Sequence, residues 1–226
     1  LLLGTSTILS MVVGILLGIF AASKQGSIAE HLTIGSGLFA YSVPTFFLQL
    51  LLLLAFAYFW PIFPIRGTMS IPPPTGFFPV LWDRLHHLAL PVISLTIVGF
   101  GSWALYTRNT MADVLSQDFI VTAKAKGLTP RRVLFQHAFR SILPPIVTLF
   151  FLNLPGIIGG AVVTESIFSW PGVGRYLLQA TMEQNYPAAQ GAFYLIALAV
   201  LISNFLADLA YGLVDPRIRV GEGGGH

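Results

Sequence analysis

The stretch DFIVTAKAKGLTPRRVLFQHAFRSILPP, Asp118–Pro145, lies between two long apolar runs and carries five positive charges. The cationic side chains are Lys124, Lys126, Arg131, Arg132 and Arg140. Burying even one of them at the centre of a bilayer costs roughly 3 kcal/mol on the mildest insertion scales. The stretch must therefore lie in water or at a membrane surface, and it separates two groups of hydrophobic segments.

The pattern within this stretch predicts a helix, a break and a second helix. Residues 113–126 are mostly good helix formers, and Gly127 can take the left-handed conformation that ends a helix. Thr129-Pro130 is typical of an N-cap followed by proline at the first helical position. We expect the second helix to end at Pro144-Pro145, because proline removes a backbone donor. We call Asp118–Pro145 the elbow.

The composition of the whole chain indicates an integral membrane protein. Of its 226 residues, 55% are hydrophobic and only 9% are charged, and the mean hydropathy is +0.78. Soluble domains are far more polar than this. The sequence contains no cysteine, which excludes disulfides and thiolate metal sites.

Five apolar runs are long enough to cross about 30 Å of hydrocarbon as helices. The predicted spans are about 1–22, 32–60, 88–106, 141–164 and 188–213, in one domain over 1–219 with a flexible tail at 220–226. Pro44 is a predicted kink, 61–87 a stiff surface loop, and 174–184 a short helix. Since Leu1 already lies in an apolar run, we expect a further part of the protein before it.

The distribution of basic residues predicts the orientation of these spans. If the loop 108–143 is cytoplasmic, nine of the twelve Lys and Arg side chains lie inside, and Arg66, Arg84 and Arg175 lie outside. Short cytoplasmic loops carry such an excess of positive charge. We therefore expect a cytoplasmic elbow and C-terminus. The pI near 9.4 then reflects topology, so nothing supports nucleic-acid binding.

The elbow also resembles a known loop. Its segments TAKAKGL (122–128) and HAFRS (137–141) are similar to the cytoplasmic "EAA loop" of permease subunits of ATP-binding-cassette importers, in the form found in the dipeptide/oligopeptide/nickel family. Val121 stands where the general consensus has Glu, and Arg140 where it has Pro. The peptide-type subfamily looks similar in these respects, so the departures favour that subfamily.

Three further segments carry the same resemblance. One is Ser42–Phe46, similar to the family's kink, and another is the C-terminal pattern Asn204, Asp208, Tyr211 and Asp215–Arg219, expected to anchor the last helix. The third is a polar excursion after the fourth span, and its candidate external-gate or binding-protein contacts are Glu165, Phe168, Pro171, Gly172 and Gly174. A compact loop with a helix at 174–184 explains the excursion equally well.

The resemblance implies the type I importer permease fold, with one more spanning helix before Leu1. It implies a prokaryotic inner-membrane subunit that forms half of a path for di- or oligopeptides. The expected partners are a second, paralogous permease, two ATPase subunits that hold ATP and Mg, an external binding protein and lipid. The residues expected to contact the ATPase subunits are Ala123, Lys124, Ala125, Lys126, Gly127, Leu128 and Arg131.

No catalytic or metal-binding constellation is apparent in the sequence. The histidines have no ligand-spaced partners, and no G-x-x-x-x-G-K-[ST] segment could hold ATP phosphates in this chain. The chain is therefore expected to be non-catalytic and without its own cofactor. Gln49 and Asn153, polar at membrane depth, are candidate residues of the substrate path.

Two alternatives to peptide import stay open. Relatives in the resembled family carry nickel chelates, haem or other small solutes, so the cargo could belong to one of these classes. An ion-gradient-driven secondary transporter is the other alternative. Such proteins often pair broken helices across two halves, and the sequence has no such pairing.

Overall fold

The computed structural model describes residues 1–158 and 160–214, and every regular element in that part is a helix. The helices are α1 (Leu2–Ser23), α2 (Ile28–Ser42), α3 (Thr45–Leu53), α4 (Phe77–Leu115), α5 (Asp118–Ala125), α6 (Pro130–Arg132), α7 (Phe139–Ile158), α8 (Val162–Ile167), α9 (Val173–Met182) and α10 (Tyr186–Val214). Short π-helical stretches, Leu54–Phe59 and Val133–Ala138, continue α3 and α6. The predicted all-α class is confirmed. The predicted anchor Asp215–Arg219 and the predicted tail lie outside the described residues.

Several of these helices can cross a membrane. In the described ranges, four are long and apolar enough, namely Leu2–Ser23, Phe77–Leu115, Pro130–Ile157 and Tyr186–Leu209. A fifth candidate is the pair formed by α2 and α3, which bends by 94° at Val43-Pro44. The bend lies at the proline where a kink was predicted, and it is large enough to end one helix and begin another. The carbonyl of Pro44 accepts the N–H groups of Phe47 and Leu48 at the start of α3.

Helix α4 is much longer than the span predicted at 88–106. It begins at Phe77, so the second part of the predicted surface loop is helical. Pro79 lies in the first turn, where a helix needs no backbone donor. At the other end the helix continues to Leu115, because Met111 and Val114 are buried in a core and packing extends the helix beyond the apolar run.

The prediction that Pro144-Pro145 ends a helix is wrong, because α7 runs through both prolines to Ile158. The two prolines cannot donate to the carbonyls of Arg140 and Ser141, but both of these residues are exposed, so water can satisfy the freed groups. Ile142 and Ile146 are buried on either side of the proline pair. Their burial holds the helix together across the missing bonds.

The chain forms two compact units, each with its own core. Unit 1 takes Leu1–Ser10, Ala40–Gly99 and Gly156–Val200, and unit 2 takes Met11–Phe39, Phe100–Pro155 and the chain from Leu201 onward. The two buried clusters of unit 1 consist of Leu2, Leu88, Val92 and Trp170, and of Ala57, Leu90 and Phe168. The core of unit 2 consists of Ile19, Ala22, Trp103, Met111, Val114, Ile120, Ala123, Val133, Ala138, Ile142 and Ile146.

Glycines bring α1 and α4 into close contact within unit 2. Gly14 and Gly18 are four residues apart and lie on the same face of α1. A Cβ on Gly18 would lie 2.6 Å from both the carbonyl oxygen of Ala104 and the Cβ of Thr107. Small residues at this spacing let helix backbones approach each other in lipid, where association depends on van der Waals packing.

We expect Gly18→Ala to lower the thermal stability of the protein, because the new methyl group meets backbone, and such overpacking costs about 1–3 kcal/mol. The matched control is Gly35→Ala on α2, where a Cβ meets nothing within 4 Å. The measurement is the melting temperature in detergent, followed by the loss of monodisperse protein on size exclusion. Equal melting temperatures for the two variants would contradict this packing account.

Candidate functional site

The elbow begins with a break that the sequence did not reveal. The predicted helix over 113–126 is in fact the end of α4 and the whole of α5, separated by Ser116 and Gln117. The hydroxyl of Ser116 donates to the carbonyl of Asp113 at 2.7 Å, and Gln117 is extended with φ −78° and ψ 152°. Serine offers the backbone a local alternative to the helix, which explains why a run of helix formers divides here.

Gly127 ends α5 in the way that the sequence predicts. Its φ is +77°, its N–H donates to the carbonyl of Lys124 at 2.9 Å, and the N–H of Leu128 donates to that of Ala123 at 3.4 Å. These two bonds form a Schellman motif, the usual glycine-dependent end of a helix. The chain then turns through Thr129, which is extended, into Pro130 at the first position of α6.

The two sides of the elbow face different surroundings. Ile120, Ala123, Val133 and Ala138 are buried in the core of unit 2 together with residues of α1, α4 and α7. The exposed residues of the predicted contact set are Lys124, Ala125, Lys126, Gly127 and Arg131, and Leu128 is partly buried. We call Ala125, Lys126 and Gly127 the tip. Ala123 also belongs to the predicted contact set, but it is only 5% exposed, so it anchors the tip to the core.

A partly buried ion pair lies in the same unit, and its Arg108 side chain is 25% exposed. The Nε of Arg108 on α4 donates to Oε1 of Glu30 at 2.7 Å, and the N–H of Gly26 donates to Oε2 at 2.6 Å. The hydroxyl of Ser27 accepts from the N–H of Glu30 at 3.3 Å, as in a capping box at the start of α2. Removing Arg108 would leave the enclosed Glu30 carboxylate without its charged partner, so the pair joins α2 to α4.

In unit 1, the polar excursion folds around the carboxylate of Glu165. Its Oε2 accepts the N–H of Arg175 at 2.7 Å, and its Oε1 accepts that of Ala161 at 3.2 Å. Arg175 is the third residue of α9, so the carboxylate caps the positive end of that helix. A Cβ on Gly172 would overlap the carboxylate, which explains the glycine at this position.

Most of the residues predicted to contact an external partner are not fully exposed in this loop. Glu165 is only 4% exposed, Phe168 is buried against Ala57 and Leu90, and Gly174 is buried, which leaves Pro171 as the exposed member of the set. The helix predicted at 174–184 is present as α9. The arrangement therefore favours the compact capped loop over direct contact by Glu165 or Phe168 with another molecule.

The two predicted path residues differ in their surroundings. Gln49 is 0% exposed, and its Nε2 donates to the hydroxyl of Thr164 at 2.8 Å, so it joins α3 to α8 inside unit 1. Asn153 lies on an exposed face of α7 and donates to the carbonyl of Leu149 at 2.7 Å. Of the two, Asn153 is the exposed one, and its place in the substrate path stays a prediction.

The family model for the binding-protein-dependent transport system inner membrane component matches residues 14–220. The chain belongs to this family. It is therefore a multi-pass protein of the inner membrane and a transport subunit, in agreement with its apolar helices.

Curated members of the inner membrane component family are similar over nearly the whole chain. The dipeptide transport system permease protein DppB of Escherichia coli K12 is 38% identical over 229 residues, covering 94% of this chain and 68% of that protein. The oligopeptide transport system permease protein AppB of Bacillus subtilis is 36% identical over 219 residues, covering 97% and 68%. The resemblance to peptide-type importer permeases is confirmed. The chain spans about two thirds of the length of these relatives.

A solved structure has the same fold. The methionine ABC transporter MetNI, in an inward-facing conformation, superposes with a TM-score of 0.72 at 14% identity, covering 95% of this chain and 91% of that one. The predicted importer permease fold is confirmed by this likeness.

Sequence reasoning missed the pair between Glu30 and Arg108. The spacing of Ser27 and Glu30 fits a capping box, so the role of Glu30 at a helix start could have been found. The sequence does not identify Arg108 as the partner of Glu30. Arg108 lies 78 residues further along the chain and resembles any other basic residue at the end of a membrane span.

We expect Glu165→Ala to loosen α9, since its first turn loses a charged acceptor worth about 1–2 kcal/mol. Amide hydrogen exchange over Val173–Met182 should become faster in this variant. Glu183→Ala is the control, because Glu183 is exposed and its carboxylate accepts from the side chain of Gln179. The same exchange rates in both variants would contradict the capping role.

Proposed function

We propose that this chain is a permease subunit of an ATP-driven importer of di- and oligopeptides, and that the elbow couples it to partner ATPase subunits. The observation that carries the proposal is the exposed tip, held on a helix end whose other side is buried in the core of unit 2. The names of the curated relatives, permeases of dipeptide and oligopeptide transport systems, support the peptide cargo.

The coupling follows from the packing of the elbow. Protein cores are close-packed and transmit displacement, so a partner that grips the tip would also move the helices behind it. Ile120 and Ala123 join α5 to the core, and Val133 and Ala138 do the same for the stretch that leads into α7. The tip is exposed, and a Cβ on Gly127 meets nothing within 4 Å among the described residues.

The proposed assembly supplies what this chain lacks. Its sequence contains no phosphate-binding P-loop, so two partner ATPase subunits would bind ATP and Mg and would carry out hydrolysis. A second permease, a paralogue of this one, would complete the translocation path, and an external binding protein would deliver the peptide. The excess of Lys and Arg on the elbow side supports a cytoplasmic elbow and C-terminus.

We expect Gly127→Asp to lower peptide uptake and peptide-stimulated ATPase activity severalfold while the protein still inserts and folds. Aspartate tolerates the left-handed backbone at a cost of about 1–2 kcal/mol, and a Cβ at this position meets no atom within 4 Å in the described part of the chain. The matched control is Gly67→Asp, which carries the same strain at φ +88° in the loop predicted to lie outside. The measurement is uptake of a labelled dipeptide by cells, with surface expression quantified in parallel.

Three results would count against all or part of this proposal. Normal uptake by Gly127→Asp would remove the elbow from the coupling mechanism. Dipeptide uptake that persists after ATP depletion, with the ion gradient intact, would instead support the secondary transporter. If the assembly takes up nickel chelates or haem and not dipeptides, the permease role stands and the peptide cargo is wrong.

A further inference from the structure

Beside the tip, unit 2 contains an open groove of about 640 Å³. It is bordered by the end of α1, the end of α4 and the two arms of the elbow. Two cationic side chains, Lys124 and Arg131, lie along it, and large apolar side chains, among them Leu115, Leu134 and Phe135, form its walls. The groove thus combines positive charge with an apolar surface.

The two cations of the groove have no ion-pair partner in the part of the chain that the structure describes. No acidic residue is among those that line the groove. The apolar walls are also partly open, since the Phe135 side chain is 45% exposed. An occupant that satisfies both features must carry a negative group and a hydrocarbon part.

The groove lies at the depth where the hydrocarbon of a membrane ends. Its lining includes Ala22 and Ser23, at the end of α1, and the apolar run of α1 is followed by Lys24, the first charge in the chain. An uncharged helix of this length crosses the hydrocarbon core, so its end marks the level of the lipid headgroups. The phosphate of a lipid in that leaflet therefore lies at the height of the groove.

We propose that this groove binds an anionic phospholipid of the membrane. The headgroup phosphate lies against Lys124 and Arg131, and an acyl chain covers Leu134 and Phe135. Basic pockets beside membrane helices on the cytoplasmic side suit such lipids, because that leaflet is negatively charged. A free phosphate ion would gain nothing from the apolar walls, and a zwitterionic lipid would gain less from the two cations.

Of the residues expected to contact the ATPase subunits, Lys124, Leu128 and Arg131 border the groove, so the lipid and the ATPase subunits share this edge of the elbow but not its tip. The tip residues Ala125, Lys126 and Gly127 do not line the groove, so a partner that holds the tip leaves the groove open to the membrane. The lipid site rests on the cytoplasmic placement of the elbow and not on the cargo. A bound lipid would brace both arms of the elbow against α1 and α4, and would thereby stiffen the connection between tip and helices.

The test is native mass spectrometry of the purified transporter assembly, with phosphatidylglycerol or phosphatidylcholine of the same acyl chains added to the detergent. Wild-type protein should retain phosphatidylglycerol in preference to phosphatidylcholine. The double variant Lys124→Gln/Arg131→Gln should retain it at least about tenfold less well, since each surface cation contributes about a factor of five to anionic lipid binding. Ala112→Phe, which fills the groove without a change of charge, should reduce retention of phosphatidylglycerol as well.

The matched control is Lys126→Gln/Arg132→Gln, which removes two neighbouring cations that do not line this groove. Equal loss of phosphatidylglycerol in the two double variants would overturn the proposal, because it would show that the lipid is held by general surface charge and not by this groove. Equal retention of the two lipids would also overturn it, as would displacement of phosphatidylglycerol by inorganic phosphate or loss of the lipid whenever ATPase subunits are bound. The same spectra report whether ATPase subunits are present, so failure of the coupling proposal is seen separately.

Discussion

The packing of the elbow against the core of unit 2 is the interaction on which the rest of the structure depends. Five cations force this stretch into water, yet Ile120, Ala123, Val133 and Ala138 hold it against apolar side chains of α1, α4 and α7. A loop tied down in this way is no longer free to move by itself. Whatever displaces the tip also displaces the helix ends to which it is packed.

Close backbone contacts and buried polar links hold the helices that the elbow would move. In unit 2, Gly14 and Gly18 bring α1 against α4, and Glu30 with Arg108 joins the start of α2 to α4. In unit 1, the carboxylate of Glu165 caps α9 and is closely surrounded by glycines. Polar bonds of this kind are directional, so they fix the arrangement of helices in a way that apolar packing alone does not.

Much of the fold could be predicted from sequence because the bilayer leaves few choices. Charge and hydropathy alone separate the elbow from the spans, and the Schellman turn at Gly127 follows from local chemistry. Two of the failures have a common cause in tertiary packing. Met111 and Val114 extend α4 beyond its apolar run, and Ile142 and Ile146 carry α7 through two prolines. The role of Glu165 was not predictable either, since its partners are backbone N–H groups that the sequence does not display.

Site-directed cross-linking tests the central claim most directly, because the chain has no cysteine and every introduced thiol is unique within it. Lys126→Cys places a thiol on the tip, and Thr75→Cys places one on the exposed loop before α4, which is predicted to lie outside. In the assembled transporter, the account predicts that Lys126→Cys cross-links to an ATPase subunit, with a yield that changes when ATP is added, and that Thr75→Cys does not. An ATPase subunit captured from Thr75→Cys, or from neither position, would contradict it.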